Sequence, residues 1–270
     1  YDVGNGYAFH SMGWKKCNFT VCILKKVVRQ KDAAMINALS DIRYGLRDGF
    51  TFFQGLNNSK FDKTDAIFLC GKKASAEEIN RKSLNKLSSP EHIYYSKGTG
   101  NITNDDKQAP DLLTLKEGAH VILLQNTAEY QNGSSGIIVN LYKKSVDVKI
   151  CATNKIVNVT YATWNAERYF FNVTTQKIEQ KTVGTFSQLP LQLGYAITIH
   201  KSQGTTLDKV ILSLGSSHYP EIFSYGQLYV ALSRVTSAKN LQILGDFNTV
   251  PVLAAPEVLE FYKNITPFTS

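Results

Sequence analysis

Two segments of the chain combine polar residues in patterns that could bind a ligand. In the first, Thr198 and His200 alternate with Ile197 and Ile199. Alternate residues of a strand point to the same face, so this spacing places Thr198 and His200 together. Residues 201–204 (Lys-Ser-Gln-Gly) then form a loop at the end of the strand, where open parallel sheets bind their ligands. The segment predicts a ligand-binding loop, although a Thr-x-His pair by itself is more often structural.

The second segment, residues 226–234, carries an arginine beside an apolar stripe. On a helix, its apolar residues take the i, i+3, i+4 and i+7 positions of a buried stripe, which consists of Leu228, Ala231, Leu232 and Val235. Gln227 and Arg234 are seven residues apart and align beside it. The spacing displays Arg234 at the edge of the stripe, although an arginine in isolation is more often an ordinary surface residue.

The elements that must position these segments begin as alternating strands and helices. Residues 19–28 are mostly β-branched, aromatic or long apolar residues and predict a strand. An amphipathic helix that stops near Gly49 follows, with apolar positions at Met35, Leu39, Ile42 and Leu46. Residues 66–70 predict a second strand, and the capping box at residues 75–78 predicts a helix running to about Leu87.

From Gly118 onward the pattern changes to short strand-like runs without a helical stretch between them. These runs cover residues 120–125, 136–142, 146–151, 157–161 and 169–173. Gly, Asn and Ser interrupt them at residues 131–136, as turns do in antiparallel sheets. Residues 118–189 therefore predict a small antiparallel barrel. Residues 90–110, rich in Gly, Asn, Asp and Ser, predict a long surface loop.

The alternation of strands and helices returns at Leu191. Its predicted elements are strands over residues 195–200, 209–214 and 241–244 and a helix over residues 225–236. The predicted fold class is therefore α/β, with the barrel placed inside an α/β domain rather than after it.

The composition indicates an ordered protein with a positive charge. Thirty Lys and Arg residues against twenty-two Asp and Glu residues give a net charge of +8, which favours a polyanionic partner such as nucleic acid. The four cysteines (Cys17, Cys22, Cys70 and Cys151) lack the spacing of a zinc site and are expected to be reduced thiols. Without a long apolar run or a signal peptide, the sequence predicts a soluble, intracellular protein.

Together the two ligand-binding segments resemble a known family. Motifs five and six of the petite integration frequency (Pif) type of DNA helicase, in superfamily one B, resemble AITIHKSQGTTLDKV and QLYVALSRVTSAKNLQIL. Motif four of that family resembles LKKVVRQKD with a helix ending in IRYG. The family's small Src-homology-three-like barrel opens similarly to GAHVILLQN and NGSSGIIV, and its link between motor domains resembles FHSMGWKKC. The resemblance covers essentially the whole chain.

The resemblance implies the second motor domain of such a helicase, a RecA-like parallel sheet of the P-loop NTPase type without its own P-loop. Residues 19–117 and 190–264 would form this domain, residues 118–189 its inserted barrel, and residues 1–18 the link from the first motor domain. No G-x-x-x-x-G-K-[ST] string occurs and the chain starts at Tyr1. We therefore expect a piece of a longer protein that hydrolyses no ATP by itself.

Roles for single residues also follow from the resemblance. Arg29 and Arg234 match arginines that reach the γ-phosphate of ATP across the cleft between the motor domains, and are the expected catalytic residues. The expected nucleotide-binding residues are Gln203, Gly204 and Gln227. The expected contacts to single-stranded DNA are Thr198, His200, Lys201, Ser202, Lys72 and Asn80. No residue is expected to bind a metal, since the first motor domain would hold Mg²⁺ and most of the ATP.

One segment departs from the family pattern. Where the family commonly has a threonine after the strand, this chain has Cys-Gly-Lys-Lys at residues 70–73. The lysines could replace a threonine contact to the DNA backbone. Asn80, in the following helix, does match the family.

The implied partners are single-stranded and forked DNA and the first motor domain of the same protein. The resemblance implies a monomer that moves 5′ to 3′ on DNA and has no membrane partner. It also implies roles in DNA repair, recombination, replication and telomere maintenance, in the nucleus or the mitochondrion of a eukaryote. Two other functions remain open: a catalytically silent module that binds single-stranded nucleic acid, and a purely structural α/β domain. A P-loop upstream of Tyr1 would distinguish the helicase from the silent module.

Overall fold

The computed structural model describes residues 6–17, 19–23, 26–55 and 61–265 of the chain. The α-helices are α1 (Met12–Cys17), α2 (Ala33–Arg43), α3 (Asp48–Gln54), α4 (Lys73–Asn85), α5 (Gln227–Leu232) and α6 (Pro256–Asn264). The strands are β1 (Ile67–Cys70), β2 (His92–Tyr95), β3 (Lys97–Gly100), β4 (Leu112–Leu115), β5 (His120–Leu123), β6 (Ser135–Leu141), β7 (Ser145–Ile150), β8 (Ile156–Thr160), β9 (Ala162–Asn172), β10 (Lys177–Gln188), β11 (Leu191–Leu193), β12 (Ala196–Thr198), β13 (Val210–Ser213) and β14 (Leu241–Leu244). Short 3-10 helices cover Ala8–His10, Asn104–Asp106 and Ala238–Asn240.

A four-stranded parallel sheet has the strand order β12-β1-β13-β14. Leu69 of β1 lies between Ile197 of β12 and Leu212 of β13. The strands consist mainly of buried apolar residues, as expected for a parallel sheet covered on both faces. The predicted second, fourth and fifth α/β strands are confirmed as β1, β13 and β14. The strand predicted over residues 195–200 is shorter, since β12 ends at Thr198.

Helices α2 and α3 share an apolar core with this sheet. Asp32 begins α2, because its carboxylate accepts hydrogen bonds from the backbone amides of Ala34 at 2.9 Å and Met35 at 3.3 Å. The apolar positions of α2 then recur along one face, and the buried ones are Met35, Ala38, Leu39 and Ile42. The amphipathic pattern of this helix is therefore confirmed.

The end of the first predicted helix needs correction. Helix α2 ends at Arg43, and Gly45 follows with a left-handed φ of +80°, a conformation that glycine adopts at little cost. Leu46 lies beyond the helix and is exposed. Gly49 does not stop a helix but lies inside α3, where a Cβ would meet the Ala38 carbonyl oxygen at 2.3 Å. Glycine at this position therefore allows α3 to pack closely against α2.

The strand predicted over residues 19–28 is absent from its described part. Residues 19–23 and 26–28 take no regular structure, and Leu24 and Lys25 lie outside the described residues. Phe19, Val27 and Val28 are exposed. The apolar composition suits a strand, but a strand also requires a neighbouring edge for its backbone, and no pairing is found for these described residues.

The capping box predicted at residues 75–78 is also wrong. Helix α4 begins at Lys73, so Ser75 lies inside the first turn, and the helix ends at Asn85. A buried carboxylate from elsewhere in the chain takes the capping position instead. Glu221 accepts a hydrogen bond from the backbone amide of Lys72 at 2.9 Å and another from the Ser75 hydroxyl. The local pattern therefore indicated the helix correctly but not the group that caps it.

A five-stranded antiparallel sheet, in the order β11-β5-β6-β7-β8, accounts for most of the strands predicted beyond Gly118. Its inward residues form a second apolar core that includes Val121, Ile138 and Val148. The last predicted run, residues 169–173, is only the outer part of β9, which pairs with the longer β10 along its whole length. Strand β10 was not predicted, because its Gly, Thr, Gln and Lys residues carry no clear apolar alternation.

The long surface loop predicted over residues 90–110 is wrong. It contains β2, β3 and the 3-10 helix Asn104–Asp106. Strand β2 pairs with β4, which brings Tyr94 into the second core opposite Leu113. Strand β3 pairs with β10 through backbone hydrogen bonds that Gly and Ser residues form as well as any others. The composition of β3, rich in small polar residues and glycine, therefore predicted a loop although the segment forms a strand.

No helix among the described residues is long and apolar enough to cross a membrane. No group of three or more His, Cys, Asp or Glu side chains among those residues could hold a metal ion.

Candidate functional site

The predicted ligand-binding loop follows β12 at the carboxyl end of the parallel sheet. Ile197 and Ile199 are buried in the core, while Thr198 is half-buried and His200 is exposed, so the predicted alternation is confirmed. The Thr198 hydroxyl accepts a hydrogen bond from the backbone amide of Lys201 at 3.3 Å. This contact turns the chain sharply away from the strand and leaves the Lys201 side chain beside the sheet edge.

A groove of about 860 Å³ lies beside this edge, between α4, β12 and the segment of residues 109–114. Three of the residues expected to contact DNA line it: Asn80, Thr198 and Lys201. Further cations at the groove are Lys73, Arg81 and Lys107. We call this feature the α4 groove. His200 and Lys72 are not among its lining residues, so the structure brings together only part of the predicted set.

Charge in the α4 groove is distributed unevenly. Lys73 is paired with Glu77 at 3.5 Å, and Lys107 with Asp111 at 2.7 Å. The Lys201 ammonium instead donates a hydrogen bond to the neutral side chain of Gln192 at 3.3 Å. Burial, and to a lesser extent the neighbouring Lys73, lowers the pKa of Lys201. A group whose positive charge is destabilised in this way gains from an anion that enters the groove.

Asn80 joins α4 to the sheet edge. Its side-chain amide donates to the Ala196 carbonyl at 2.8 Å, and its oxygen accepts from the Ala196 amide at 2.9 Å. Through these two bonds the Asn80 side chain pairs with the backbone of edge strand β12 where a neighbouring strand would otherwise pair. The bonds hold α4 against this edge, which forms one side of the groove. The role of Asn80 observed in this structure is therefore positioning, and a direct DNA contact remains a prediction.

Ser202 does not have the exposure expected for a DNA contact. Its side chain is 0% exposed, and its hydroxyl donates to the Ile199 carbonyl at 2.7 Å. Its backbone amide donates to the Thr198 carbonyl at 3.1 Å, as in one turn of a helix. The tight turn after β12 directs this side chain inward. Ser202 therefore shapes the loop in this structure, and its contact with DNA remains a prediction.

Lys72 points away from the α4 groove. Its ammonium lies 6.0 Å from the centre of the Phe223 ring, a cation–π distance. The adjacent Gly71 permits this arrangement, because a Cβ there would meet the Glu221 carbonyl oxygen at 1.5 Å. The segment between β1 and α4 is thereby packed against the segment before α5. The contact of Lys72 with DNA remains a prediction.

Arg234 is not displayed at a helix edge as its spacing predicted. Helix α5 ends at Leu232, and the Arg234 side chain, 6% exposed, turns into the protein. It donates to the carbonyls of Ser202 and Thr205, each at 3.1 Å, and to the Val230 carbonyl at 2.7 Å. These carbonyls lie on the loop after β12 and on α5. The helix stops short of residue 236, and the carbonyls of Ser233 and Val235 accept hydrogen bonds from the side chains of Arg29 and Gln30 instead of from helical amides.

Arg29 lies close to Arg234. Arg29 donates to the Ser233 carbonyl at 2.9 Å, and the neighbouring Gln30 side chain donates to the same carbonyl at 3.1 Å and to the Val235 carbonyl at 2.9 Å. Burial, followed by the charge of Arg29, lowers the pKa of Arg234. Among the described residues, no carboxylate lies within ion-pair distance of either guanidinium. Two neighbouring cations without an acidic partner form a candidate anion site.

The expected nucleotide-binding residues differ in availability. Gln203 is exposed, and Gly204 has a φ of +86° with open space where a Cβ would stand, so a ligand can approach the backbone there. Gln227 is engaged, since its side-chain oxygen accepts from the amides of Phe223 at 2.8 Å and Ser224 at 3.1 Å. It closes the turn before α5.

Sequence reasoning missed Gln30 and Glu221. Both side chains are buried and polar, and both hydrogen-bond to segments far away in sequence. A polar residue inside an otherwise unremarkable run gives no periodic signal. Gln30 does stand beside Arg29 in the motif-four segment, and that proximity was the one available indication.

Comparisons with known proteins were made for the whole chain. No family model matches it. The human ATP-dependent DNA helicase PIF1 is 32% identical over 274 residues, which cover 96% of this chain and 40% of that protein. The Pif1 helicase from Candida albicans matches in structure with a TM-score of 0.76 and 28% identity, over 98% of this chain and 66% of that one.

A third relative was solved with ligands. The Pif1 helicase from Bacteroides in complex with ADP-AlF3 and ssDNA matches with a TM-score of 0.68 and 28% identity, over 96% of this chain and 60% of that one. The chain thus spans two fifths of the human relative and less than two thirds of the solved chains.

Proposed function

We propose, from the premise that this chain is homologous to Pif1-family DNA helicases over nearly its whole length, that it forms the C-terminal motor half of an ATP-dependent 5′-to-3′ DNA helicase. Its RecA-like domain would comprise residues 19–117 and 190–264, and its inserted barrel residues 118–189. The roles of the family in repair, recombination, replication and telomere maintenance belong to the same proposal for the complete protein.

The pairing of Arg29 and Arg234 beside the loop of residues 202–205 carries this proposal. Two guanidinium groups with no acidic partner among the described residues suit a polyphosphate that is bound mainly by another domain, as in an arginine-finger arrangement. The geometry divides their roles. Arg29, which donates to one carbonyl, would reach the γ-phosphate, while Arg234 would hold the loop that meets the nucleotide at Gly204. ATP and Mg²⁺ would be held mainly by the first motor domain.

Single-stranded DNA would run through the α4 groove. Lys201 and the Thr198 hydroxyl lie at its sheet edge, and Lys73 and Arg81 lie along α4. These groups recognise phosphate and read no base, so binding would be independent of sequence. The relative solved with ADP-AlF3 and ssDNA supports both ligands for the complete protein.

Fluorescence anisotropy with a labelled oligothymidine tests the DNA part of the proposal. We expect weak binding by this chain, falling with salt as counterions are released, and a roughly three- to tenfold loss of affinity for Lys201→Ala. Lys144→Ala, an exposed lysine on the turn between β6 and β7, is the matched control and should bind as the wild type. Salt-independent binding, or equal loss in both variants, would rule out the groove as the DNA path.

Rejoining the chain to its first motor domain tests the nucleotide part. Arg29→Ala should lower DNA-stimulated ATP hydrolysis by about 10³-fold, while nucleotide binding weakens much less. Arg29→Lys should restore little, because an ammonium does not reproduce the planar fork. Full hydrolysis in Arg29→Ala would rule out the arginine-finger role of Arg29, whereas a rejoined wild-type protein without hydrolysis would favour the silent nucleic-acid-binding module.

A further inference from the structure

Ser233 lies between the two arginines and bonds to both of them. The residue is 4% exposed, and its two oxygen atoms serve different guanidinium groups. The Ser233 hydroxyl oxygen accepts a hydrogen bond from the Arg234 guanidinium at 2.7 Å, and the Ser233 carbonyl accepts one from the Arg29 guanidinium at 2.9 Å. One buried residue thereby holds two like charges beside each other.

Gln30 is a second donor to the same carbonyl. This residue is 5% exposed, and its side-chain amide donates to the Ser233 carbonyl at 3.1 Å and to the Val235 carbonyl at 2.9 Å. A carbonyl oxygen has two lone pairs and can accept two hydrogen bonds at once. The Ser233 carbonyl therefore has one donor more than a buried carbonyl needs in order to be satisfied.

Arg29 is held less firmly than Arg234. Among the described residues, the Arg29 guanidinium forms one hydrogen bond, to the Ser233 carbonyl, and the residue is half-buried. The Arg234 guanidinium forms four, to three carbonyls and to the Ser233 hydroxyl. A guanidinium carries five N–H donors, so Arg29 keeps most of its donors for another acceptor. Arg29 can therefore move at the cost of one hydrogen bond, whereas Arg234 would lose four.

The shared carbonyl decides how costly a movement of Arg29 is. No donor to the Ser233 carbonyl other than Arg29 and Gln30 is found in the described part of the chain. If the Arg29 guanidinium turned away, the carbonyl would keep the bond from Gln30. Without the Gln30 amide, the same movement would leave a buried carbonyl unsatisfied, which costs free energy. Gln30 removes this penalty.

We propose that Gln30 is a positioning residue for Arg29, because it keeps the Ser233 carbonyl bonded while the Arg29 guanidinium moves from that carbonyl to the γ-phosphate of ATP. This inference rests on the proposed function of Arg29. Gln30 itself would touch neither ATP nor the reacting atoms. It also ties the backbone at Val235 to the segment that carries Arg29, so the guanidinium starts close to its working position.

ATP hydrolysis by the chain rejoined to its first motor domain tests the inference. Gln30→Met removes the amide and nearly conserves the side-chain volume. We expect it to lower the kcat of DNA-stimulated hydrolysis about tenfold and to leave the KM for ATP unchanged, because the affected contact forms in the transition state. The affinity for fluorescent ADP should not change, since ADP has no γ-phosphate. Gln30→Asn, with an amide one methylene shorter, should have an intermediate kcat.

A double-mutant cycle with Arg29 separates positioning from a merely structural role. In an Arg29→Ala background, Gln30→Met should cause no further loss of kcat, because the residue through which Gln30 acts is gone. A structural role would lower kcat by the same factor in both backgrounds. Release of radiolabelled phosphate measures the low turnover of these variants. Gln180→Met, at an exposed glutamine on β10, is the matched control and should hydrolyse ATP like the wild type.

The outcomes distinguish this inference from the proposed function. Full hydrolysis in Arg29→Ala, or none in the rejoined wild type, would overturn both. An unchanged kcat in Gln30→Met, or an equal loss in both backgrounds, would overturn the positioning role and leave the arginine finger intact. A loss that disappears in the Arg29→Ala background supports both. Thermal unfolding shows whether Gln30→Met is folded, and if it is not, the same cycle with Gln30→Asn gives the same readings.

Discussion

The Arg234 guanidinium donates a hydrogen bond to the Ser202 carbonyl at 3.1 Å. This bond joins the segment after α5 to the loop after β12, the two segments that resemble helicase motifs six and five. The same guanidinium reaches the Thr205 carbonyl, so it spans the loop in which Gly204 exposes its backbone. Arg234 consequently holds the structure of the loop at which we propose that the nucleotide is met.

Arg234→Ala is expected to destabilise the chain. The substitution removes four hydrogen bonds from a buried setting, including the one donated to the Thr205 carbonyl, at a cost of about 2–4 kcal/mol. If Arg234 lay on the surface, as the helical spacing predicted, its substitution would hardly change the free energy of unfolding. Urea unfolding should show a lower midpoint for Arg234→Ala. Arg81→Ala, an exposed arginine on α4, should unfold like the wild type, and equal midpoints for all three proteins would refute the structural role.

Glu221 is expected to stabilise α4 from a distance. Glu221→Ala removes the acceptor for the Lys72 amide and the Ser75 hydroxyl, a loss of about 1–3 kcal/mol. Glu221→Gln keeps an acceptor oxygen and should lose less. Thermal unfolding should rank the proteins as wild type, Gln and Ala in falling stability. Glu257→Ala, an exposed carboxylate in the first turn of α6, serves as control. A Gln variant weaker than the Ala variant would contradict the capping role.

The ion pair between Asp106 and Arg168 predicts a dependence of stability on pH. The hydrogen bonds from Arg168, and then those from Thr103, hold the pKa of Asp106 well below its usual range. Its stabilising contribution is therefore present above the unfolded pKa, about 4, and is lost as pH falls toward the lower folded pKa. Asp106→Asn should flatten the fall in unfolding midpoint below about pH 4. The neighbouring Asp105→Asn should retain that fall, and an identical pH profile for both variants would exclude the pair as its source.

The cysteines are expected to differ in reactivity. Burial, with a smaller effect from Glu221, raises the pKa of the Cys70 thiol to about 12, so the reactive thiolate is scarce at pH 8. Cys17 and Cys22 are exposed. Iodoacetamide should label Cys17 and Cys22 rapidly and Cys70 only after denaturation, as measured by peptide mass spectrometry. Rapid labelling of Cys70 in the folded chain would show that the carboxyl end of β1 is open.

Periodic patterns in the sequence were sufficient for the elements that build the parallel sheet. The alternation of Ile197 and Ile199 with Thr198 and His200 predicted which side chains are buried, because successive side chains of an extended backbone point to opposite sides. The stripe on α5 was predicted correctly for the same kind of reason. Resemblance to the helicase motifs then indicated which polar residues to examine.

Contacts between distant segments were not predictable from periodicity. The direction of Arg234 depends on carbonyls of Ser202 and Thr205, and the cap of α4 depends on Glu221, which no local spacing reveals. The strand β3 escaped notice for a different reason. It is held mainly by backbone hydrogen bonds to β10, and small polar residues of the kind found in loops form these bonds as well as apolar residues do.

The pairing of Leu69 with Ile197 also bears on how the chain reaches its native state. Strand β1 cannot gain this neighbour until the whole antiparallel region between them has been synthesised, and closing so long a segment is entropically costly and slow. The hairpins within that region have nearby partners in sequence and can form first, which draws its two ends together. We therefore expect the antiparallel strands to form before the parallel sheet is completed.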